Sequence, residues 1–311
     1  MNSFKKYGLN YLKGMAMGAA DIVPGVSGGS IALIAGIYQQ LLDSINAFNL
    51  DNLLLLKSFQ IKELYARVNG NFLLSLVLGI LTSILALSRV ITYLMEEHPI
   101  PLWSFFSGLI LVSAFLILKE TKKWNFVIVI SIAIGTAFAW WVTNLPPTTT
   151  PEAPWFTFVA GAIAICAMIL PGISGSFVLL ILGQYERILQ AVLDKDIFTL
   201  ALFATGCLVG ILSFSRVVAF LLRRFHAATI GLVSGFILGS VNELWPWKDV
   251  IKTRISSSGK EVPFLTENIL PGDYLIQEGL DPQLGWAIGA FLFGIGLVLF
   301  IEWLANKLQQ A

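Results

Sequence analysis

Charge is what this sequence has least of. Only 13% of its 311 residues are Asp, Glu, Lys or Arg, where a water-soluble domain carries about 25%. Apolar residues make up 56%. That balance excludes an ordinary soluble domain and reads as a polytopic helical membrane protein. Cysteine is almost missing. Cys166 and Cys207 both fall inside apolar segments, which argues against a disulfide framework. Histidine is confined to His98 and His226, both at segment ends. They read as exposed loop residues, because a metal site needs clustered ligands. There is no Ser–His–Asp set and no histidine-containing phosphatase constellation. The expectation is therefore no enzyme, no catalytic residue, no metal and no cofactor. A net charge of +1 speaks against nucleic acid as a partner. A cleaved signal peptide is not expected either, since Lys13 and Gly14 break the apolar run that follows Lys5 and Lys6.

What is present centres on one stretch, Asp21-Ile22-Val23-Pro24-Gly25-Val26-Ser27-Gly28-Gly29-Ser30. A second copy reads Ile169-Leu170-Pro171-Gly172-Ile173-Ser174-Gly175-Ser176. In each, a Pro-Gly-x-Ser-Gly knot interrupts an apolar segment. Pro24 and Pro171 are helix-breaking, because proline lacks an N–H and glycine costs about 1 kcal/mol in a helix. The knot leaves backbone N–H groups and small hydroxyls at the start of the next helix. Inside a membrane such backbone is tolerated where it lines a cavity or holds a ligand, and its partial charge favours an anion.

The segments fall into two series. The first, 1–147, has a hairpin at 11–45 and spans at 71–94, 101–118 and 124–144. Between hairpin and spans, residues 46–70 read as an amphipathic interfacial stretch. The second, 155–311, has a hairpin at 155–190 and spans at 197–222, 228–246 and 284–306. A polar segment, 247–283, is expected outside the membrane. Each hairpin arm has about 12–16 residues, or roughly 18–24 Å as helix, short of a bilayer core of about 30 Å. Both hairpins are therefore expected to be re-entrant. Pro24 to Pro171, Ser27 to Ser174, Gly36 to Gly183 and Tyr38 to Tyr185 are all 147 residues apart. Ser88-Arg89-Val90 returns as Ser215-Arg216-Val217 at 127, as do Ser107-Gly108 and Ser113 in Ser234-Gly235 and Ser240. Two registers held in the same order indicate an internal repeat.

Basic residues fix the orientation. Lys5, Lys6, Lys13, Lys57, Lys62, Arg67, Lys119, Lys122, Lys123, Arg223, Arg224 and Lys307 all fall on one side if neither hairpin crosses. That side is the cytoplasm, with both termini in it. Trp103, Trp140, Trp141, Trp155, Trp245, Trp247 and Trp286 fall near the outer interface. Three crossings per half is an odd number, which inverts one half relative to the other. The expected fold is thus an all-α polytopic membrane protein of two inverted-topology repeats, each a re-entrant helical hairpin plus three transmembrane helices. Inverted repeats with broken helices are a feature of secondary transporters.

Arg89 and Arg216 occupy matching places in apolar spans. An intramembrane arginine is costly and marks function by default, and its planar fork suits phosphate. The alternative is snorkelling to an interface. The phosphate-binding candidates are Gly25, Ser27, Gly28, Gly29, Ser30 and Arg89 in the first half. In the second they are Gly172, Ser174, Gly175, Ser176 and Arg216. The serines also suit helix capping. Asp21, matched by Met168, reads either as a proton-coupling group or as a carboxylate satisfied by local backbone N–H groups. Tyr38 and Tyr185 read as packing residues.

The run Gly18-Ala19-Ala20-Asp21 through Gly28-Gly29-Ser30, followed by Gly36-Ile37-Tyr38, resembles the opening motif of the bacterial polyprenyl-phosphate transporter family PopT, long catalogued as a domain of unknown function. The resemblance extends to the second knot and covers nearly the whole chain. It implies a multi-pass translocase in the bacterial cytoplasmic membrane. Its substrate would be undecaprenyl phosphate, the carrier lipid of cell-envelope synthesis, returned from the outer to the inner leaflet. Partners would be the polyprenyl-phosphate lipid and membrane lipids. A secondary transporter for a small soluble anion and a membrane lipid phosphatase are the rival readings.

Overall fold

Among the described residues, six helices are long and apolar enough to cross a bilayer. The computed structural model describes residues 3–23, 26–119, 121, 124–146, 148, 151, 153–255, 261–277 and 279–310. Pro24 and Gly25 of the first knot lie outside them, as do Lys122 and Lys123.

The chain opens with α1 (Ser3–Ile22), which stops just before Pro24, and resumes as α2 (Gly28–Ile34) and α3 (Tyr38–Asn46). The α2–α3 corner turns at Gly36, φ +68°, a left-handed conformation that glycine adopts freely. The Lys13 ammonium in α1 donates to the Ala35 carbonyl at the end of α2, 2.6 Å away. Residue 35 therefore returns to the level of residue 13, and α1–α2 is a hairpin whose tip is the knot. Two short helices follow, α4 (Leu50–Lys57) and α5 (Ile61–Arg67), with Leu54, Phe59, Ile61 and Tyr65 exposed. Then come α6 (Gly70–Glu97), α7 (Pro99–Lys119) and α8 (Phe126–Thr143). Proline in α7 is confined to its first turn, where no N–H is needed.

The second series repeats this order. α9 (Pro154–Ile169) ends before Pro171, and α10 (Gly175–Ile181) and α11 (Tyr185–Leu193) follow, bent by 107° at Gly183. Thr157 in α9 donates to Gln184 Oε1, 3.4 Å away, so this too is a hairpin with the knot at its tip. α12 (Ile197–Arg224) and α13 (His226–Ser240), extended by a 3-10 turn (Val241–Leu244), are spans.

The segment read only as polar then holds a two-stranded antiparallel sheet, β1 (Lys248–Ile255) with β2 (Glu261–Asn268), in register Lys248↔Asn268 to Ile255↔Glu261. α14 (Pro271–Gln277) and the last span, α15 (Leu284–Gln310), close the chain. Among the described residues the architecture is all-α apart from that sheet.

Four helix pairs carry the packing, α1 with α6, α9 with α12, α7 with α15, and α8 with α13. Glycines set how closely they approach. A Cβ on Gly79 would lie 2.1 Å from Tyr11 O, and one on Gly206 2.0 Å from Phe158 O. A Cβ on Gly108 would lie 2.1 Å from Phe291 O, and one on Gly135 2.3 Å from Leu232 O. Lipid offers no hydrophobic drive between helices, so small residues that let backbones touch supply the contact instead. In the α1–α6, α9–α12 and α8–α13 pairs the residue numbers of the contacts rise together, and those partners run parallel.

The bundle has two distinct ends. The basic end carries the last turns of α7 and α12, with Lys119, Arg223 and Arg224, and the starts of α8 and α13. The strand end carries the start of α7, the ends of α8 and α13, and β1–β2. There the Lys248 ammonium lies over the Trp103 ring, 5.4 Å from its centroid, and donates to Glu243 O at 2.7 Å. Its distance to the Glu243 carboxylate is 3.8 Å, with both side chains about one-fifth exposed. Trp247, Ile100 and Ala287 pack beside this group.

Candidate functional site

The two knots meet. Ser27 Oγ donates to Met168 O at 3.0 Å, and Gly172 N donates to Ser30 Oγ at 2.9 Å. Tyr38 Oη donates to Ile169 O, also at 3.0 Å. Each bond joins the first hairpin to the second across more than 130 residues of chain. A Cβ on Gly29 would stand 2.8 Å from Ile169 O, and one on Gly172 2.7 Å from Phe236 O. Gly172 also has φ +91°. Glycine is required at both places for room, and at Gly172 for conformation as well.

Within the first knot, Ser27 caps α2 by accepting from Gly29 N at 3.1 Å. The Asp21 carboxylate accepts from Gly28 N at 2.7 Å. The start of α2 thus holds a carboxyl group supplied by the chain itself. The second knot differs. Met168 stands where Asp21 does, α10 has no side-chain cap, and Ser174 and Ser176 share a hydrogen bond of 2.8 Å. Ser174, Gly175 and Ser176 therefore present the less committed donors. Around the contact lie Val23, Val26, Ile169, Pro171 and Ile173, all buried, a dry setting in which each polar group must find a partner.

The structure does not bring Arg89 or Arg216 to the knots. Arg89 lies in an exposed stripe of α6 with Leu85 and Tyr93. Arg216 is exposed on α12, while its neighbour Ser215 faces inward and donates to Asn46 Oδ1 at 2.8 Å. Arg89 is eight residues from the end of α6 at the strand end, and Arg216 eight from the end of α12 at the basic end.

Sequence reasoning missed one feature. At the basic end a cleft of about 680 Å³ opens between the α2–α3 corner and the adjoining ends of α7, α8, α12 and α13. Its walls include Tyr38, Gln39, Thr121, Asn125, His226 and Ala227. His226, read from the sequence as a loop residue, is part of that wall. Only the polarity at the segment ends hinted at it.

The model of a family described as VCA0040-like, undecaprenyl phosphate translocase-like, matches residues 17–262. A Vibrio cholerae protein named polyprenyl-phosphate transporter is 43% identical over 297 residues, covering 96% of each chain. A Staphylococcus aureus protein of the same name is 32% identical over 263 residues, covering 76% of this chain and 86% of its own. No solved structure matches.

Proposed function

The chain belongs to the VCA0040-like, undecaprenyl phosphate translocase-like family, and from that premise we propose that it moves a polyprenyl phosphate, undecaprenyl phosphate above all, from one leaflet of a bilayer to the other. The observation that carries the reading is the direct bonding of two helix-breaking knots, one from each hairpin, amid the spans. A translocated lipid needs shielding only at its phosphate, while its tail remains in lipid. Small hydroxyls and uncommitted N–H groups in a dry setting suit that phosphate. Ser174, Gly175 and Ser176 are the first candidates to meet it. Gly172 gives the backbone its close approach, and Ser27, Gly28, Gly29 and Ser30 form the opposing wall. Asp21, paired with the first knot, is the candidate proton-coupling group. Arg89 and Arg216 face outward near opposite ends, where they would meet the headgroup on its approach through lipid.

Two inverted repeats fit this work, because exchange of conformation between the halves opens the site to each side in turn. Three observations favour them. Gly14 and Gly79 of the α1–α6 pair precede Gly161 and Gly206 of the α9–α12 pair by 147 and 127 residues, the same registers as the knots and the arginines. α7 pairs with α15 as α13 pairs with α8, so each half's second span joins the other's third. Both hairpins fold back at their knots. In this reading the membrane is the bacterial cytoplasmic one. The basic end faces the cytoplasm, and transport runs inward to recycle the carrier lipid.

The test is leaflet-specific accessibility of labelled undecaprenyl phosphate in liposomes holding the purified protein. Faster exchange than in protein-free liposomes, with the label still on intact lipid phosphate, is expected. An unchanged rate would refute transport. Release of inorganic phosphate would make the protein a phosphatase, and competition by a soluble anion that itself crosses would favour the small-anion reading.

A further inference from the structure

The cleft at the basic end lies apart from the knots. From His226 to Phe236, whose carbonyl touches Gly172, is ten residues of α13, or about 15 Å along its axis. We infer that this cleft is a docking vestibule for the phosphate monoester of the lipid, occupied before or after the headgroup visits the knots. The inference rests on the transport reading and adds a site to it.

The lining makes the case. At about 680 Å³ the cleft is of the size that holds small ligands, roughly 300–1,000 Å³. It can admit a headgroup while a long prenyl chain stays outside. Its polar atoms come from Gln39, Thr121, Asn125 and His226, and no Asp or Glu is among the described residues that line it. Lys119, Arg223 and Arg224 stand on the helix turns at its rim. Asp43 stands 3.8 Å from Arg223. Three helices begin at its wall, α3 at Tyr38, α8 after Asn125 and α13 at His226, and α3 and α13 have no side-chain cap. Tyr38 connects the two places, since it lines the cleft and its hydroxyl bonds Ile169 beside the second knot.

A second observation comes from the internal repeat. Thr121 and Ile230, on the cleft walls, correspond at 127 residues to Lys248 and Trp103. At the strand end these two side chains lie against each other. Where one end has an open cleft, two of the corresponding residues at the other are a cation and an indole in contact. That contrast is expected of a vestibule that alternates, and not of an incidental gap in packing.

The test places a cysteine at Ala227, in a chain whose Cys166 and Cys207 are replaced by Ala, held in lipid nanodiscs with both faces accessible. Modification by a water-soluble maleimide is timed with undecaprenyl phosphate, undecaprenol or inorganic phosphate present. Slowing by undecaprenyl phosphate alone is expected. His226→Ala in the same chain should raise the half-protecting concentration about tenfold, the worth of a hydrogen bond to a charged group. Equal rates with and without undecaprenyl phosphate would overturn the vestibule. Equal protection by undecaprenol would assign the cleft to the tail, and protection by inorganic phosphate alone would assign it to a soluble anion. The Ala227→Cys protein is assayed for transport in parallel. Transport without protection removes the vestibule and keeps the function, while protection without transport does the reverse.

Discussion

Ser30 is fully buried, and its hydroxyl is the acceptor for Gly172 N across the two hairpins. Ser30→Ala leaves that N–H without a partner in a dry place. The expected loss of stability is about 1–3 kcal/mol, measured as detergent-phase unfolding. Gly172→Ala adds a strained φ and a Cβ 2.7 Å from Phe236 O, and should cost at least as much. The arginines give a second residue-scale prediction. If they receive the headgroup on its approach, Arg89→Ala and Arg216→Ala each lower transport per reconstituted molecule, and Arg→Lys restores it only in part, lacking the planar fork. If they merely anchor their spans, Arg→Lys is silent, because lysine snorkels as well. The knots were legible in the sequence because proline and glycine act on their own backbone. The outward aim of Arg89 and Arg216 was not. A repeat register places a residue along its helix and says nothing of which face packs inward. The cleft role of His226 was equally hidden, since its neighbours come from five separate helices.

At the scale of the helix, the glycine contacts separate two kinds of glycine. A Cβ on Gly206 would meet Phe158 O at 2.0 Å, whereas Gly289 has nothing within 4 Å. Gly206→Ala should force α9 and α12 apart and lower the melting temperature. Gly289→Ala should raise it or leave it unchanged, since alanine gains up to about 1 kcal/mol of helix propensity. The reverse order would remove the glycine contacts as the determinant of packing. Asp196 caps α12, accepting from Thr199 N at 3.1 Å and from the Thr199 hydroxyl at 2.6 Å. Those bonds hold its carboxyl below the usual range. A depressed carboxylate stabilises above its unfolded pKa, and the contribution disappears as pH falls through the folded value. Asp196→Ala should therefore destabilise the protein at neutral pH, and the difference from wild type should vanish in acid. The spans were legible from hydropathy alone. The β1–β2 sheet was not, although Val250, Ile251, Thr253 and Ile255 are β-branched residues suited to a strand, because Lys, Asp and Arg between them read simply as polar.

At the scale of the whole chain, the orientation is open to a direct measurement. Asn144 and Lys119 lie at opposite ends of the bundle, flanking α8. Cysteines there should label from opposite sides of the membrane, and Gln277→Cys should label with the Asn144 side. Labelling of both α8-flanking cysteines from one side would break the inverted arrangement. The order of hairpins and spans was legible because the spacing of prolines, glycines and apolar runs recurs along the chain. Which half's helix pairs with which was not, since a spacing carries no information about exchange between halves.

The Lys248–Trp103 contact has a consequence for that exchange. Halves related by an inversion, were they identical, would give two end states of equal free energy, each populated half the time. If the halves are related as proposed, this pair breaks the degeneracy, because Thr121 and Ile230 at the corresponding places have no cation to offer an indole. A cation over an indole is worth about 0.5–2 kcal/mol, and about 1.4 kcal/mol is a factor of ten in an equilibrium constant. One contact of that size is enough to make the form sealed at the strand end the resting one, with the opposite form a minority that a ligand arriving from that side must draw out.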